Sequence, residues 1–380
     1  MTILIEDTAR NTLVSWAGDA HRQHPEVTGV TLNPFVSPMR STGYKPSAQA
    51  QVTRLRAVGL SVLLDPMTHV LQMPTVGDFR YYDEWPLWGA ARGALESAAE
   101  RDDHVRRVFD VQDTLDVPRL APTILLHTPQ SSTSQRALEM ADYARGLGHC
   151  LLSVVGDSAF WASDALDAHI GALAQLEPEG WHLAVARAST QLPVLPDAGE
   201  VAGLARTAFA LGEYAPVHVS HGDLAALPAL AAGATSVGTG WDPRQRVLAY
   251  PNFAARDPDA EGGSWFQRVT FSGLFGLLTQ GDAALADSQD AAAVARLLPG
   301  GPLPPGPKEA FLHHVAVLVG YASSRVGDPA IDGPALGAAY VAALPEWAAL
   351  ATSTGLPNAS GTWIGELSSG LARLVAEEGW

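Results

Sequence analysis

Cysteine and lysine are scarce in this 380-residue chain, which contains one cysteine, Cys150, and two lysines, Lys45 and Lys308. A single cysteine cannot form an intramolecular disulfide or build a cysteine-based zinc site. No apolar run approaches the roughly 20 residues that span a bilayer, and the opening MTILIEDTAR is acidic where a signal peptide is basic. We therefore expect a cytoplasmic protein that does not enter a membrane.

Positive charge is scarce as well, since 40 acidic residues outnumber 24 basic ones and the formal net charge is -16. Nonspecific affinity for nucleic acid comes mainly from clustered lysine and arginine. The composition therefore argues against a broad phosphate-binding surface, and it favours a small-molecule substrate over a nucleic-acid partner. A local basic groove stays compatible with these numbers.

Apolar residues make up 47% of the chain, which is enough for a substantial core. Short, near-continuously apolar runs alternate with helical patterns, as expected of parallel strands that are covered on both faces. Eight such runs are predicted as strands: 28–35, 61–64, 123–126, 150–155, 181–186, 217–221, 235–237 and 268–271. Eight βα units over about 260 residues is the size of a TIM (β/α)8-like barrel, and a doubly wound open sheet is the alternative fold.

The predicted domain organisation has a barrel over residues 1–298 and a helical extension over 299–380 that packs on it. Residues 8–23 are predicted to form a first helix that plugs the base of the barrel. The spacing between the second and third predicted strands is too long for one βα connection, so we predict an insertion at about 66–122.

Aromatic and charged residues are mixed within this insertion, in the segment RYYDEWPLW. Its Arg80, Tyr81, Trp85 and Trp88 are predicted to bind the substrate as a lid or stacking loop. The alternative is that these aromatic residues cap the rim of the fold.

Nearly every predicted strand ends on a polar side chain. Barrel enzymes draw catalytic groups from several strand ends. The residues in these positions are Asn33, Asp65, His127, Asp157, Arg187, His218 with His221, and Thr239 with Asp242. We predict Asp65, His127, Asp157 and His221 as catalytic residues, and Asn33 and Arg187 as substrate-binding residues.

A glycine-rich turn follows the seventh predicted strand and contains Gly238, Thr239 and Gly240, with Asp242 just beyond. Many TIM barrels bind phosphate through backbone N–H groups at this place. We predict that this turn and Arg187 bind an anionic part of the substrate and that Asp242 is a further substrate-binding residue, with a purely conformational role for the glycines as the alternative.

Two further chemistries are open to the same residues. Asp65, His69, His127 and His221 offer carboxylate and imidazole ligands for a divalent metal ion, which would make the protein a metal-dependent hydrolase. Carboxylate pairs for glycoside hydrolysis could be drawn from Asp65, Asp83, Glu84 and Asp157. Only distances decide between these sets.

One segment resembles a known family. Residues 223–246, which contain Gly-Ala-Thr, a short strand and then Asp-Pro-Arg-Gln-Arg, are similar to the corresponding part of the tRNA-guanine transglycosylases and their DNA-modifying relatives. That family folds as a TIM barrel, and Asp65 would take the place of one of its two active-site aspartates. The position of the nucleophilic aspartate falls in Val237-Gly238-Thr239, and the family's zinc-binding cysteines are missing here.

These observations favour a TIM-barrel enzyme that acts on a small polar molecule, phosphorylated or nucleoside-like, by acid/base chemistry at the strand ends. A hydrolase and a glycosyl-transferring enzyme are both compatible with these observations. The alternatives are the metal-dependent hydrolase, a transglycosylase-like nucleobase enzyme, and a non-catalytic binding or assembly module. A homo-oligomer formed through the C-terminal helices belongs to the last of these.

Overall fold

The computed structural model describes residues 1–74, 76–77, 79–255, 268–298, 301–356 and 361–380. Its central element is a sheet of eight parallel strands that curls into a barrel. The strands are β1 (Thr2–Glu6), β2 (Val27–Leu32), β3 (Ser61–Leu64), β4 (Leu125–Leu126), β5 (Leu151–Asp157), β6 (Gly180–Ala186), β7 (Val217–Val219) and β8 (Ser236–Thr239).

The order of the strands is β3-β2-β1-β8-β7-β6-β5-β4, so strands adjacent in the chain are adjacent in the sheet, except β3 and β4, and β8 returns to pair with β1. The predicted TIM-like barrel is confirmed by this arrangement. The ladder is open at one place only within the described strands, between β3 and β4.

Most connections between these strands are helical, as the alternating pattern predicts. The barrel helices are α1 (Leu13–Gln23), α2 (Ala48–Ala57), α3 (Ala98–Thr114), α4 (Ser132–Gly146), α5 (Ser158–Trp161), α6 (Leu166–Ala174), α7 (Ala198–Gly212), α8 (Leu227–Ala231) and α9 (Pro243–Arg246). Short 3-10 helices occupy Thr68–Gln72, Tyr82–Glu84, Asp223–Ala226, Tyr250–Phe253 and Ser272–Leu274.

The sequence-based strand count was wrong at both ends of the barrel. Thr2–Glu6 is the first strand, so each of the first seven predicted strands moves up by one and the insertion follows the third strand rather than the second. The predicted helix 8–23 forms as Leu13–Gln23, but it connects β1 to β2 instead of plugging the base. The predicted eighth strand, Arg268–Phe271 (β9), forms an antiparallel hairpin with Gly276–Thr279 (β10) outside the barrel.

A buried glutamine of the insertion spans the opening between β3 and β4. Gln112, on α3, donates from Nε2 to the carbonyl oxygens of Leu64 and Leu120 at 2.9 Å each, and its Oε1 accepts from the N–H of Leu120 at 3.1 Å. Gln72 adds a similar contact, because its Oε1 accepts from the N–H of Leu125 at 3.2 Å. Side-chain amides of the insertion thus replace part of the missing ladder.

The C-terminal helices are α10 (Gln280–Gln289), α11 (Ala291–Leu297), α12 (Pro307–Ser323), α13 (Pro329–Thr354) and α14 (Thr362–Glu378). A buried ion-pair cluster connects α12 to the barrel. Arg246 donates to Asp223 at 2.8 and 3.1 Å, and His314 of α12 lies 2.8 Å from the same carboxylate. By length and composition, α13 is the one helix of the described residues that could cross a membrane, and 22% of its most apolar window is buried.

The glutamine bridge yields a stability prediction. Gln112→Leu leaves three buried backbone groups without partners, and each such group costs about 1–3 kcal/mol. We expect the free energy of unfolding, measured in urea, to fall by roughly 2–4 kcal/mol, since relaxation recovers part of that sum. The matched control is Gln135→Leu on the exposed side of α4, which should change it by less than about 0.5 kcal/mol. Equal effects of the two substitutions would contradict a bridging role.

Candidate active site at the carboxyl ends of the strands

The residue at the centre of the barrel mouth is Glu6, the last residue of β1, which is 1% exposed. Its Oε1 accepts hydrogen bonds from the hydroxyl of Ser220 at 2.9 Å and from the N–H of His221 at 3.1 Å. Its carboxylate oxygens lie 3.8 Å from Nε2 of His218 and 4.0 Å from Nε2 of His221. The two histidines, which follow β7 or lie within it, therefore surround a buried carboxylate.

Gly238 is a glycine because Glu6 occupies the space beside it. A Cβ atom at this position would lie 1.9 Å from Oε1 of Glu6. At Gly240, a Cβ would lie 2.4 Å from Cδ of Gln245, whose Oε1 accepts from the N–H groups of Trp241 and Asp242 at 3.0 and 2.9 Å. The backbone donors after β8 are thus used within the turn.

These contacts do not support the predicted phosphate-binding turn. An anion at Gly238 would meet the carboxylate of Glu6, and the hydroxyl of Thr239 donates to Asp223 at 3.1 Å. Asp242 caps α9 by accepting from the N–H of Arg244 at 3.0 Å. The glycine turn serves packing, which was the alternative explanation from the sequence.

Asp65 is the second buried carboxyl group of the barrel mouth. It follows β3, is 4% exposed, and accepts a hydrogen bond from the N–H of Met67 at 2.8 Å. Burial raises the pKa of Asp65 to about 7; the hydrogen bond from Met67 lowers it in part, and the negative charge of Glu6 adds a smaller raising effect. The carboxyl group is therefore held close to half-protonated at neutral pH.

The pKa of Glu6 is shifted in the opposite direction. Burial alone would raise its pKa, but the imidazole rings of His221 and His218 outweigh burial and lower the pKa to about 2. Two carboxyl groups at one barrel mouth thus differ in protonation at pH 7, one ionised and one available as a proton donor. Such a divergence is typical of acid/base pairs.

Three imidazole rings near this pair have a buried Nε2 atom with no hydrogen-bond partner among the described residues: His69, His182 and His218. Burial lowers the pKa of His69 to about 3 and that of His182 well below its usual range. Both rings are therefore neutral at pH 7. The ring of His218 is fixed by a 2.9 Å hydrogen bond between Nδ1 and the hydroxyl of Ser236.

The predicted metal ligands Asp65, His69, His127 and His221 are not gathered in the structure. Within the described part of the chain, no group of three or more His, Cys, Asp or Glu side chains has an arrangement that could hold a metal ion. His127 is taken up elsewhere, because its Nδ1 lies 2.5 Å from Oδ2 of Asp157.

His127, Asp157 and Arg187 belong to a different part of the mouth. The His127 ring is half exposed, Asp157 also caps α5, and Arg187 forms a buried ion pair with Glu200 at 2.5 Å. Asp157, Arg187 and Tyr250 line an open groove of about 650 Å³. Five of the polar residues predicted at the strand ends therefore separate into two sets, with Asp65 and His221 in one and these three in the other.

The aromatic segment of the insertion is a cover for the barrel rather than an exposed stacking loop. Tyr81 and Trp85 are buried, and the indole N–H of Trp85 donates to the carbonyl oxygen of Ser37 at 3.2 Å. Trp88 stacks on His104 with ring centroids 3.8 Å apart. The predicted stacking loop does not form, because Tyr81 and Trp85 are buried, and the rim-capping alternative describes their position.

Arg80 stays at the surface of this cover, where its guanidinium lies 5.0 Å from the centroid of the Tyr81 ring. Asp83 and Glu84, two members of the predicted carboxylate pairs, are exposed on the same segment. Neither can serve a buried site from there, so Asp65 loses these two candidate partners.

Asn33 follows β2 and supports the mouth from its other side. Its N–H donates to Asp7 at 3.1 Å, and Asp7 in turn forms a buried ion pair with Lys45 at 3.0 Å. Nζ of Lys45 also donates to two carbonyl oxygens, so this lysine is fully hydrogen-bonded. Asn33 lines a pocket of about 20 Å³ together with Met67 and His221.

Glu6 was missed by the sequence reasoning, as was its partner Ser220. The signal was available, because TILIE is a short apolar run that ends in an acidic residue, as other strands of this chain do. Its position at the start of the chain and the adjacent helical pattern concealed it. No local pattern connects it to residues more than 200 positions away.

Comparisons with known proteins do not assign a family. No family model matches the chain, and no curated protein is similar to it. Among solved structures, a D-allulose 3-epimerase from Methylomonas sp. is 14% identical with a TM-score of 0.33, covering 62% of this chain and 84% of its own. The carboxyl transferase domain of Rhizobium etli pyruvate carboxylase is 13% identical with a TM-score of 0.37, covering 77% and 53%.

A probable tagatose 6-phosphate kinase from Sinorhizobium meliloti 1021 is 10% identical with a TM-score of 0.33, covering 99% of this chain and 98% of its own. Similarity at this level does not bear on the activity of the present chain.

The raised pKa of Asp65 predicts that this residue destabilises the protein at alkaline pH. Between pH 3.8 and about 7 the folded state keeps a proton that the unfolded state releases, so stability falls as pH rises through this window. Asp65→Asn removes the titrating group and keeps an oxygen that can accept from Met67. We expect the variant and the wild type to unfold alike near pH 4, and the variant to gain up to about 4 kcal/mol at pH 8.

Urea unfolding at a series of pH values measures this difference, with Asp83→Asn on the exposed cover as the control. No gain for Asp65→Asn at pH 8 would show that the Asp65 carboxyl is not held protonated by burial.

Proposed function

We propose that this barrel is an enzyme that cleaves a glycosidic bond in a small, uncharged polar molecule, with Asp65 as the proton donor and Glu6 as the ionised carboxylate. The observation that carries the proposal is a pair of buried carboxyl groups at one barrel mouth in different settings: Glu6 accepts hydrogen bonds from Ser220 and His221, whereas Asp65 accepts from the N–H of Met67. Their pKa values are displaced in opposite directions, to about 2 and about 7, in agreement with these settings. One carboxyl group with a proton to give and one that stays ionised is the pair that glycoside chemistry uses.

The roles follow from the protonation states. Asp65 gives its proton to the leaving nitrogen or oxygen as the bond to the sugar carbon breaks, and the electron pair of that bond stays with the leaving group. Glu6 stabilises the positive charge that develops on the sugar. Water then adds to the sugar carbon and returns a proton to Asp65. His221 and Ser220 act on this reaction by positioning Glu6 through their hydrogen bonds.

The choice of an uncharged substrate rests on the fate of the predicted anion-binding groups. Arg187 is paired with Glu200, and the turn at Gly238 faces Glu6. Glu6 is ionised at the mouth, and the chain as a whole is negative. A nucleoside or a simple glycoside suits these charges better than a phosphorylated molecule, so the nucleoside-like option is retained and the phosphorylated one is not.

Access to the pair requires movement of the cover. Glu6 and Asp65 are almost fully buried, and Phe35 packs between Tyr82 and Phe253 above them, with ring centroids 4.5 and 5.2 Å away. The small pocket lined by Asn33 and His221 marks the path that such a movement would widen.

The proposal is tested by incubating the protein with a panel of ribonucleosides, deoxyribonucleosides and aryl glycosides and measuring the released base or aglycone by mass spectrometry. General acid catalysis contributes about 10²–10⁴-fold. We expect Asp65→Asn and Glu6→Gln each to lower kcat by at least about 100-fold, and Asp83→Asn to leave it unchanged. Activity of the wild type should decline above pH 7, where Asp65 loses its proton.

Two results would contradict this assignment. One is cleavage at the wild-type rate by both variants, and the other is the absence of cleavage throughout the panel. Activity that a chelator abolishes and added divalent metal restores would instead support the metal-dependent hydrolase.

A further inference from the structure

A small recess lies where the turn after β8 meets β9 and α12. Two arginine side chains, Arg246 and Arg268, line it, and its volume of about 10 Å³ has room for roughly one group of the size of a water molecule or a chloride ion. Its other walls include Leu192, Ala310 and Phe311, which are buried. A charge between such walls interacts with its neighbours more strongly than it would in water.

One carboxylate, that of Asp223, matches one of the two guanidinium charges. Arg246 donates to it from Nε at 2.8 Å and from Nη2 at 3.1 Å. The same carboxylate also accepts from the hydroxyl of Thr239 at 3.1 Å, and its Oδ1 lies 2.8 Å from Nε2 of His314. Asp223 is therefore fully occupied, whereas Nη1 of Arg246 takes no part in these hydrogen bonds.

The imidazole of His314 adds no charge to this cluster. Burial, assisted by the positive charge of Arg246, lowers the pKa of His314 to about 4, so the ring is neutral at pH 7. Its Nδ1 lies 3.3 Å from Nη2 of Arg246, and a guanidinium can only donate. Nδ1 is therefore the acceptor nitrogen, and Nε2 carries the proton that faces Asp223.

The second guanidinium, that of Arg268 at the start of β9, has no such partner. Within the described part of the chain it forms no hydrogen bond and no ion pair. Burial and the positive charge of Arg246 lower the pKa of Arg268, and the more distant carboxylate of Asp282 raises it less. Arginine stays charged in proteins, so the cluster carries one positive charge in excess. A partly buried charge without a partner is costly, and an anion would remove that cost.

We propose that this recess binds one small inorganic anion, which the guanidinium groups of Arg246 and Arg268 hold jointly. The anion supplies the missing negative charge and connects the β9–β10 hairpin, through Arg268, to Arg246 of the barrel. The volume of the recess selects an ion rather than a metabolite. Neither Glu6 nor Asp65 lines the recess, so this inference does not rest on the proposed catalytic function.

Thermal unfolding of the full chain tests the site, with sodium gluconate, whose anion is too large for the recess, as the reference salt at constant ionic strength. Replacing gluconate by chloride or by inorganic phosphate should raise the Tm saturably, by about 3 °C at 100 times the dissociation constant. The anion that acts at the lower concentration is the ligand.

Arg268→Met should abolish this rise, and it should also raise the Tm in gluconate because it removes an unpaired charge. The matched control is Arg40→Met, the same substitution at an exposed arginine, which should keep the wild-type response to chloride and phosphate. An equal rise in Arg268→Met and in the wild type would overturn the proposal, as would a wild-type Tm that is the same in all three salts.

Bromide soaked into wild-type crystals gives a second measurement that does not depend on the folding of the variant. An anomalous peak between the two guanidinium groups is expected, and a recess without a peak would contradict the site. A peak without any rise in Tm on addition of chloride or phosphate would show an adventitious ion only, and would equally contradict it.

Discussion

The burial of one carboxylate, Glu6, is the constraint on which the barrel mouth depends. A charge removed from water needs hydrogen bonds and nearby positive or polarisable groups, and Glu6 obtains them from Ser220 and His221. These partners follow β7, whereas Glu6 ends β1, and the two strands are separated in the sheet only by β8. Gly238 of β8 keeps the intervening space open. The pairing of β8 with both β1 and β7 therefore brings the Glu6 carboxylate to its hydrogen-bond partners.

The opening between β3 and β4 is the second organising feature, because it lets an insertion reach the interior. Gln112 restores hydrogen bonds to the two separated edges, and the aromatic cover around Tyr82 excludes water from the space above Asp65. That exclusion of water is the main reason the pKa of Asp65 is raised. The sequence predicts this insertion as a lid. In the structure it buries Asp65 and so raises the pKa of that carboxyl group, and it supplies neither of the two proposed catalytic carboxyl groups.

Several features could be predicted from local pattern alone. Apolar runs followed by polar residues indicated a parallel α/β barrel and placed Asp65 and His221 at the carboxyl ends of its strands. These features are predictable because the pattern of neighbouring residues determines strand formation and burial. The helical character predicted for residues 299–380 is likewise found in α12, α13 and α14, which occupy Pro307–Ser323, Pro329–Thr354 and Thr362–Glu378. The prediction of a barrel held even though its first strand was missed.

The tertiary structure decided which strand ends face one another. Ser220 meets Glu6 across 214 positions of sequence, and no periodicity encodes such a contact. The structure also divided Asp65 and His221 from His127, Asp157 and Arg187, and it turned a glycine sequence that resembles a phosphate site into space for a carboxylate. Composition and periodicity are local quantities, so they determined the elements of this protein. Distances and solvation arise only from packing, so they determined the chemistry of its site.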